Sequence, residues 1–152
     1  MEFLVRIWVI GFVAITPIIL IIGNGPMTSL SQYWNTPYQA LFILANAITS
    51  YFFFSTPKWR NPSFFLMLTT AFSLEYHPDV HNILATTFFI LCLFALYKSN
   101  RFQYYFYLFL ISMFIMPLNL LYGEIAGILI LAAYHAQVLI YKYRLDNRHD
   151  NN

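Results

Sequence analysis

PSFFLMLTTAFSLEYHPDVHNILATTFFILCLFALY, residues 62–97, is the stretch on which the fold turns. Two apolar runs, 62–76 and 78–97, flank a polar turn that reads Glu75-Tyr76-His77-Pro78-Asp79-Val80-His81. One membrane crossing takes about 20 apolar residues to cover a hydrocarbon core of about 30 Å, so two crossings and a turn take about 40. The stretch has 36 residues. Its turn therefore sits at the membrane interface or is drawn slightly into a bundle, rather than standing far out in water.

Working outward, further runs of the same kind fill 3–22, 37–55, 102–118 and 122–141, which makes six crossings in all. Pro17 predicts a kink in the first. That run is long for the apolar part of a signal peptide, and Gly23-Asn24-Gly25-Pro26 follows it as a turn without a small-residue cleavage pattern, so it reads as a retained span. The composition agrees: 60% of the 152 residues are hydrophobic and only 9% are charged, against about 25% charged in ordinary soluble domains. A soluble chain of this size has no interior large enough to hide so much apolar surface. A net charge of +2, spread thinly along the chain, leaves no footprint for nucleic acid. Cys92 is the lone cysteine, so no intrachain disulfide forms.

Charge placement tests the count of six. The connections 56–61 and 98–101 carry Lys58, Arg60, Lys98 and Arg101, and the tail carries Lys142, Arg144 and Arg148. The connections 23–36, 75–81 and 119–124 carry no Lys or Arg. Basic and non-basic connections alternate, which the positive-inside rule converts into a topology with both termini cytoplasmic. Trp34, Tyr38, Trp59, Tyr97 and Tyr141 fall where interfacial aromatic belts belong. The predicted architecture is an all-α bundle of six transmembrane helices over 1–142, with a polar cytoplasmic tail at 143–152, in the inner or plasma membrane.

Candidate chemistry concentrates in the 73–81 turn. Pro78 suits a first helical position and Asp79 complements the helix dipole. Ser73, His77 and His81 follow one another at four-residue spacing, with Glu75 and Asp79 between them. His77 and His81 with nearby carboxylates form a candidate zinc site. Ser73, Glu75 and Asp79 are candidate catalytic groups beside them, acting on a lipid head group by acid–base chemistry. An interfacial turn with no chemistry accounts for the same residues.

His135 falls near mid-membrane, eleven residues after Glu124 or about 16 Å along a helix. An ionisable group at that depth faces the bundle interior. It is read as a hydrogen-bonded neutral histidine, or as a metal ligand, haem ligand or proton-path member. Asn46 lies mid-way along the second run and is a candidate partner for it. Thr49, Ser50, Thr69, Thr70, Thr86 and Thr87 read as interhelical packing groups. Gly123 and Gly127 form a G-x-x-x-G step that lets another helix approach closely. Glu124 between them is read either as an exposed turn carboxylate or as a member of the outer polar cluster.

The stretch from His77 to Phe89 resembles the motif of the Frag/DRAM/Sfk group of six-helix membrane proteins, in which a helix opens on His, then a small residue, then Phe. His81, Ala85 and Phe88 or Phe89 take those places. The resemblance implies six helices and a role around lipid or GPI-anchor handling. Ser73 and His77 are also similar to the Ser-x-x-x-His element of ceramidase-type zinc hydrolases, whose terminal His-x-x-x-His is represented here by His135 alone.

Three functions follow as expectations. The first is a lipid-handling membrane protein acting through the outer cluster. The second is a non-enzymatic scaffold or accessory subunit that binds partner membrane proteins or copies of itself. The third is a haem-binding electron carrier using His135 with His77 or His81.

Overall fold

The computed structural model describes residues 2–149, with side chains over 3–146. It is all-helical, 84% helix, with no strand among the described residues. Six α-helices appear, one at each predicted apolar run: α1 (Glu2–Asn24), α2 (Gln39–Phe54), α3 (Arg60–Ala71), α4 (Pro78–Tyr97), α5 (Tyr104–Ile115) and α6 (Leu120–His149). Short 3-10 turns at Leu30–Asn35, Pro57–Trp59 and Asn100–Phe102 lie in the connections. Three of the helices, α1, α4 and α6, are long and apolar enough to cross a membrane; α2 and α5 are apolar but shorter. Helix α3 has 12 residues, or about 18 Å at 1.5 Å per residue.

Each helix packs on its neighbours in sequence, and α1 closes the ring against α6. Helices α2 and α3 are tied by a reciprocal pair in which Ser63 Oγ donates to the Ser50 carbonyl at 2.6 Å and Ser50 Oγ to the Ser63 carbonyl at 3.3 Å. Two buried clusters fill the ring. One gathers Trp59, Cys92, Leu96, Phe109 and Tyr134; the other gathers Leu20, Leu30, Tyr33, Phe42 and Leu121. Outward-facing positions are apolar too: Trp8, Ile22, Tyr51, Phe114 and Leu118 all stand exposed.

Several boundaries differ from the apolar runs, each for a local reason. Helix α3 stops at Ala71 instead of continuing to 76. Phe72 turns extended, the Ser73 carbonyl accepts the His77 N–H at 3.0 Å, and Ser73 Oγ accepts the Tyr76 N–H at 3.3 Å. Helix α5 stops at Ile115, ahead of Pro117, which carries no N–H to continue the ladder. Asn119 Oδ1 then accepts the Tyr122 N–H at 3.2 Å, so α6 starts two residues early, at Leu120. Helix α6 also runs on through 149, so most of the expected polar tail is helical; residues 150–152 of that tail lie outside the described residues.

The glycine step works at the α5–α6 corner. A Cβ on Gly123 would stand 2.7 Å from the Met116 backbone nitrogen, and one on Gly127 would stand 3.3 Å from Phe89 and 3.4 Å from Phe109. The turn after α5 therefore folds directly against the first turn of α6.

The connections sort onto two ends. At one end, Lys58 Nζ donates to Tyr134 Oη, which also pairs with Ser99 Oγ at 2.9 Å. Arg101 donates to Tyr141 Oη and lies over the Tyr141 ring at 3.7 Å, and Arg6 lies over Phe52 at 5.8 Å. At the other end, the 25–38 segment meets α6 and α4 through Leu30–Glu124 and Ser31–His81.

Candidate functional site

The 73–81 turn divides its polar residues between two directions. Glu75, His77 and Asp79 are exposed, whereas Ser73 and His81 are buried. His77 stands at the start of α4 with its ring edge-on to Phe72. The His81 ring turns inward, with Nδ1 at 2.7 Å from the Phe72 carbonyl and Nε2 at 2.7 Å from Ser31 Oγ. A carbonyl only accepts, so Nδ1 carries the proton, and in the neutral ring Nε2 accepts from the Ser31 hydroxyl. His81 thus holds the carbonyl of Phe72, the residue just past α3, and ties the 25–38 segment to α4.

This geometry does not fit zinc at His77 and His81. The lone pair of His81 is engaged by Ser31 and His77 points to the outside. No group of three His, Cys, Asp or Glu side chains able to hold a metal ion exists among the described residues, whereas zinc sites use three or four protein ligands. Ser73 is occupied as a turn cap and is not grouped with the exposed Glu75 and Asp79 side chains, so the five residues do not form one centre.

His135 is enclosed by aromatic rings. Phe53 stacks on it at 4.8 Å, Trp59 lies at 4.7 Å, and Phe52 and Tyr134 present edges at 5.3 and 5.2 Å. Its Nε2 has no hydrogen-bond partner, nor has Nε1 of the neighbouring Trp59. The space beside it is about 20 Å³, room for about one water. A porphyrin does not fit there, so the haem reading has no site at His135. Asn46 is not its partner; it lies half-buried on the wall of a different and larger space.

That larger space is the centre of the ring, a cavity of about 110 Å³ between α1, α2, α3, α4, α6 and the 25–38 segment. For scale, an engineered apolar cavity of about 150 Å³ takes up benzene. Its walls are mainly apolar, contributed by Leu20, Phe42, Leu66, Phe88 and Leu131 among others. Glu124 is the charged residue on them. Its side chain is 7% exposed, and Oε2 accepts the Leu30 N–H at 2.6 Å. Glu124 is thus a buried polar residue and not the exposed turn carboxylate that one of its two readings expects. The Gly123 contact brings the chain turn against α6, and the 3-10 turn opening at Leu30 has free N–H groups that need an acceptor. Tyr33, fully buried beside it, donates from Oη to the Gly25 carbonyl at 2.6 Å and fixes the same segment. Burial pushes the ionisation of the Tyr33 hydroxyl upward, with a backbone hydrogen bond to Met27 opposing it.

Sequence reasoning missed this cavity. Thr16 and Pro17 in mid-helix were its best signal: both are buried and face it, and Pro17 deprives the Val13 carbonyl of a helical N–H. Ser31 gave no signal, since its role depends on a long-range contact to His81.

No family model, no curated protein and no solved structure matches this chain.

Proposed function

We propose that this chain is a six-crossing membrane protein that binds a small amphiphile, a lipid or lipid-like molecule, in its central cavity, with Glu124 as the polar contact. The observation that carries this reading is a carboxyl group on the wall of an apolar cavity with one oxygen committed to Leu30 and the other without a hydrogen-bond partner among the described residues. A buried carboxyl costs several kcal/mol unless partnered, and in membrane helices such groups mark ligand and ion sites. The walls supply the apolar complement that binding cavities use for orientation-independent affinity. Lipid handling thus moves from the outer turn to the bundle centre.

Six crossings are supported by the sorting of basic and non-basic connections onto opposite ends and by the exposed apolar faces. The shorter α2, α3 and α5 cross with help from their flanking 3-10 turns and interfacial aromatics, by local thinning of the bilayer.

Native mass spectrometry of the full chain released gently from membranes tests the reading. Ala132 lines the cavity, so Ala132→Phe fills it. The expected result is a bound amphiphile at about one per chain that is lost in a still-helical Ala132→Phe variant. An amphiphile count unchanged by filling would place binding on the outer surface and remove the proposal.

A further inference from the structure

The hydrogen-bond donors around the cavity are almost all spent. The Thr16 hydroxyl donates to the Phe12 carbonyl at 2.8 Å, Thr49 to Ala45 at 2.7 Å and Thr69 to Phe65 at 2.8 Å. The Ser31 hydroxyl is directed at His81 Nε2, and the Leu30 N–H is taken by Glu124. What these groups turn toward a ligand is lone pairs: the hydroxyl oxygens and the free carboxylate oxygen of Glu124. The Val13 carbonyl, deprived of a helical donor by Pro17, adds to them. Asn46 is the one wall residue with N–H groups to offer, and its carbonyl oxygen is an acceptor as well. Among the described residues, no Lys or Arg lines the cavity.

A wall of acceptors around one carboxyl group favours a ligand that donates. An ammonium group has three donors, no acceptor and a positive charge. A carboxylate or phosphate head has the opposite character: it meets a wall of acceptors with Asn46 as its one side-chain N–H donor among the described residues. Resting on the amphiphile reading above, we infer that the cavity takes the head of a primary-amine amphiphile, with its N–H groups on Glu124 and the neighbouring hydroxyl oxygens, the first carbons of its chain along the apolar wall and the rest of the chain outside the cavity.

The test compares ligands of one chain length: dodecylamine, dodecanol, dodecanoate and dodecyltrimethylammonium, titrated into the full chain in non-ionic detergent at neutral pH and followed by native mass spectrometry and thermal shift. Dodecylamine is expected to bind at least about tenfold more tightly than dodecanol, a difference of about 1.4 kcal/mol. Dodecanoate should bind more weakly than either. Dodecyltrimethylammonium, charged but without N–H groups, should fall well below the primary amine. Glu124→Gln should bring amine and alcohol to within about threefold of each other (roughly 0.65 kcal/mol).

Equal binding of amine and alcohol by the native chain would overturn the inference and leave the cavity as a general amphiphile site. Equal binding of the primary and quaternary amines would overturn donor matching. No binding by any of the four would remove the amphiphile reading itself. The ligand series on the native chain decides the matter even if Glu124→Gln fails to fold.

Discussion

The packing of the α5–α6 corner makes a sharp prediction about two glycines four residues apart. Replacing either by alanine adds the same methyl group to the same helix and gains the same intrinsic helix preference, about 1 kcal/mol. The surroundings differ. At Gly123 the new carbon would sit 2.7 Å from the Met116 nitrogen and 2.8 Å from its Cα. Those are backbone atoms in a turn pinned by Met116 N–H to the Ser112 carbonyl at 3.2 Å and Asn119 N–H to the Ile115 carbonyl at 2.9 Å. Relief requires moving that turn by about 0.5 Å or more, and such overpacking costs about 1–3 kcal/mol. At Gly127 the nearest atoms are ring carbons at 3.3 and 3.4 Å and the Ser112 hydroxyl at 3.5 Å, which yield by small rotations. Because the helix-preference gain cancels between the two variants, Gly123→Ala should be less stable than Gly127→Ala by about 1–3 kcal/mol. Reversible unfolding in mixed detergent–SDS micelles, followed by circular dichroism, measures the difference. A Gly127→Ala variant as unstable as Gly123→Ala, or more so, would refute the placement of the α5–α6 turn.

Three further outcomes are expected. His135→Phe removes an unpaired buried nitrogen from an aromatic cage, so the variant should be as stable as the parent or up to about 1 kcal/mol more so; a loss above about 2 kcal/mol in the same assay would show that Nε2 has a partner. Tyr134→Phe strips Lys58 Nζ and Ser99 Oγ of a shared partner and should cost about 1–3 kcal/mol, with no effect on amphiphile binding in the mass-spectrometric measurement. For the six-crossing topology, single cysteines at Thr28 and Tyr76 should react with a membrane-impermeant maleimide in intact cells, whereas those at Ser55 and Lys98 should react only after permeabilisation. Buried Cys92 leaves the background blank. Labelling of Thr28 and Tyr76 from opposite sides would break the six-crossing arrangement.

The positions of the helices were legible because they depend on local composition: an apolar run between turn residues and basic flanks forms a helix whatever lies beside it. The start of α4 at Pro78 was legible for the same reason, since Pro and Asp act within their own first turn. What could not be read was the direction of side chains in the turns. His81 belongs to a dense polar stretch, and spacing alone groups it with His77. Its actual partners are Ser31, 50 positions away in sequence, and the Phe72 carbonyl just past α3. Glu124 likewise answers to Leu30, 94 positions away. Neither pairing leaves a periodic trace.

The character of the cavity follows from a rule the sequence does contain. A serine or threonine in an apolar helix finds few other partners, so its hydroxyl hydrogen goes back to a carbonyl one turn earlier, as at Thr16, Thr49, Thr69, Thr70 and Thr87. Each such residue then shows its surroundings only lone pairs. A cavity walled by helical threonines is acceptor-rich by default, and on its own that bias is weak, because hydroxyl oxygens are modest acceptors. A carboxylate among them turns the bias into selection, since it adds charge of the same sense. Here that carboxyl group is held by the Leu30 backbone N–H at 2.6 Å. The selectivity proposed for the site is therefore set less by the number of polar residues on the wall than by the Leu30 contact, which holds Glu124 beside the cavity.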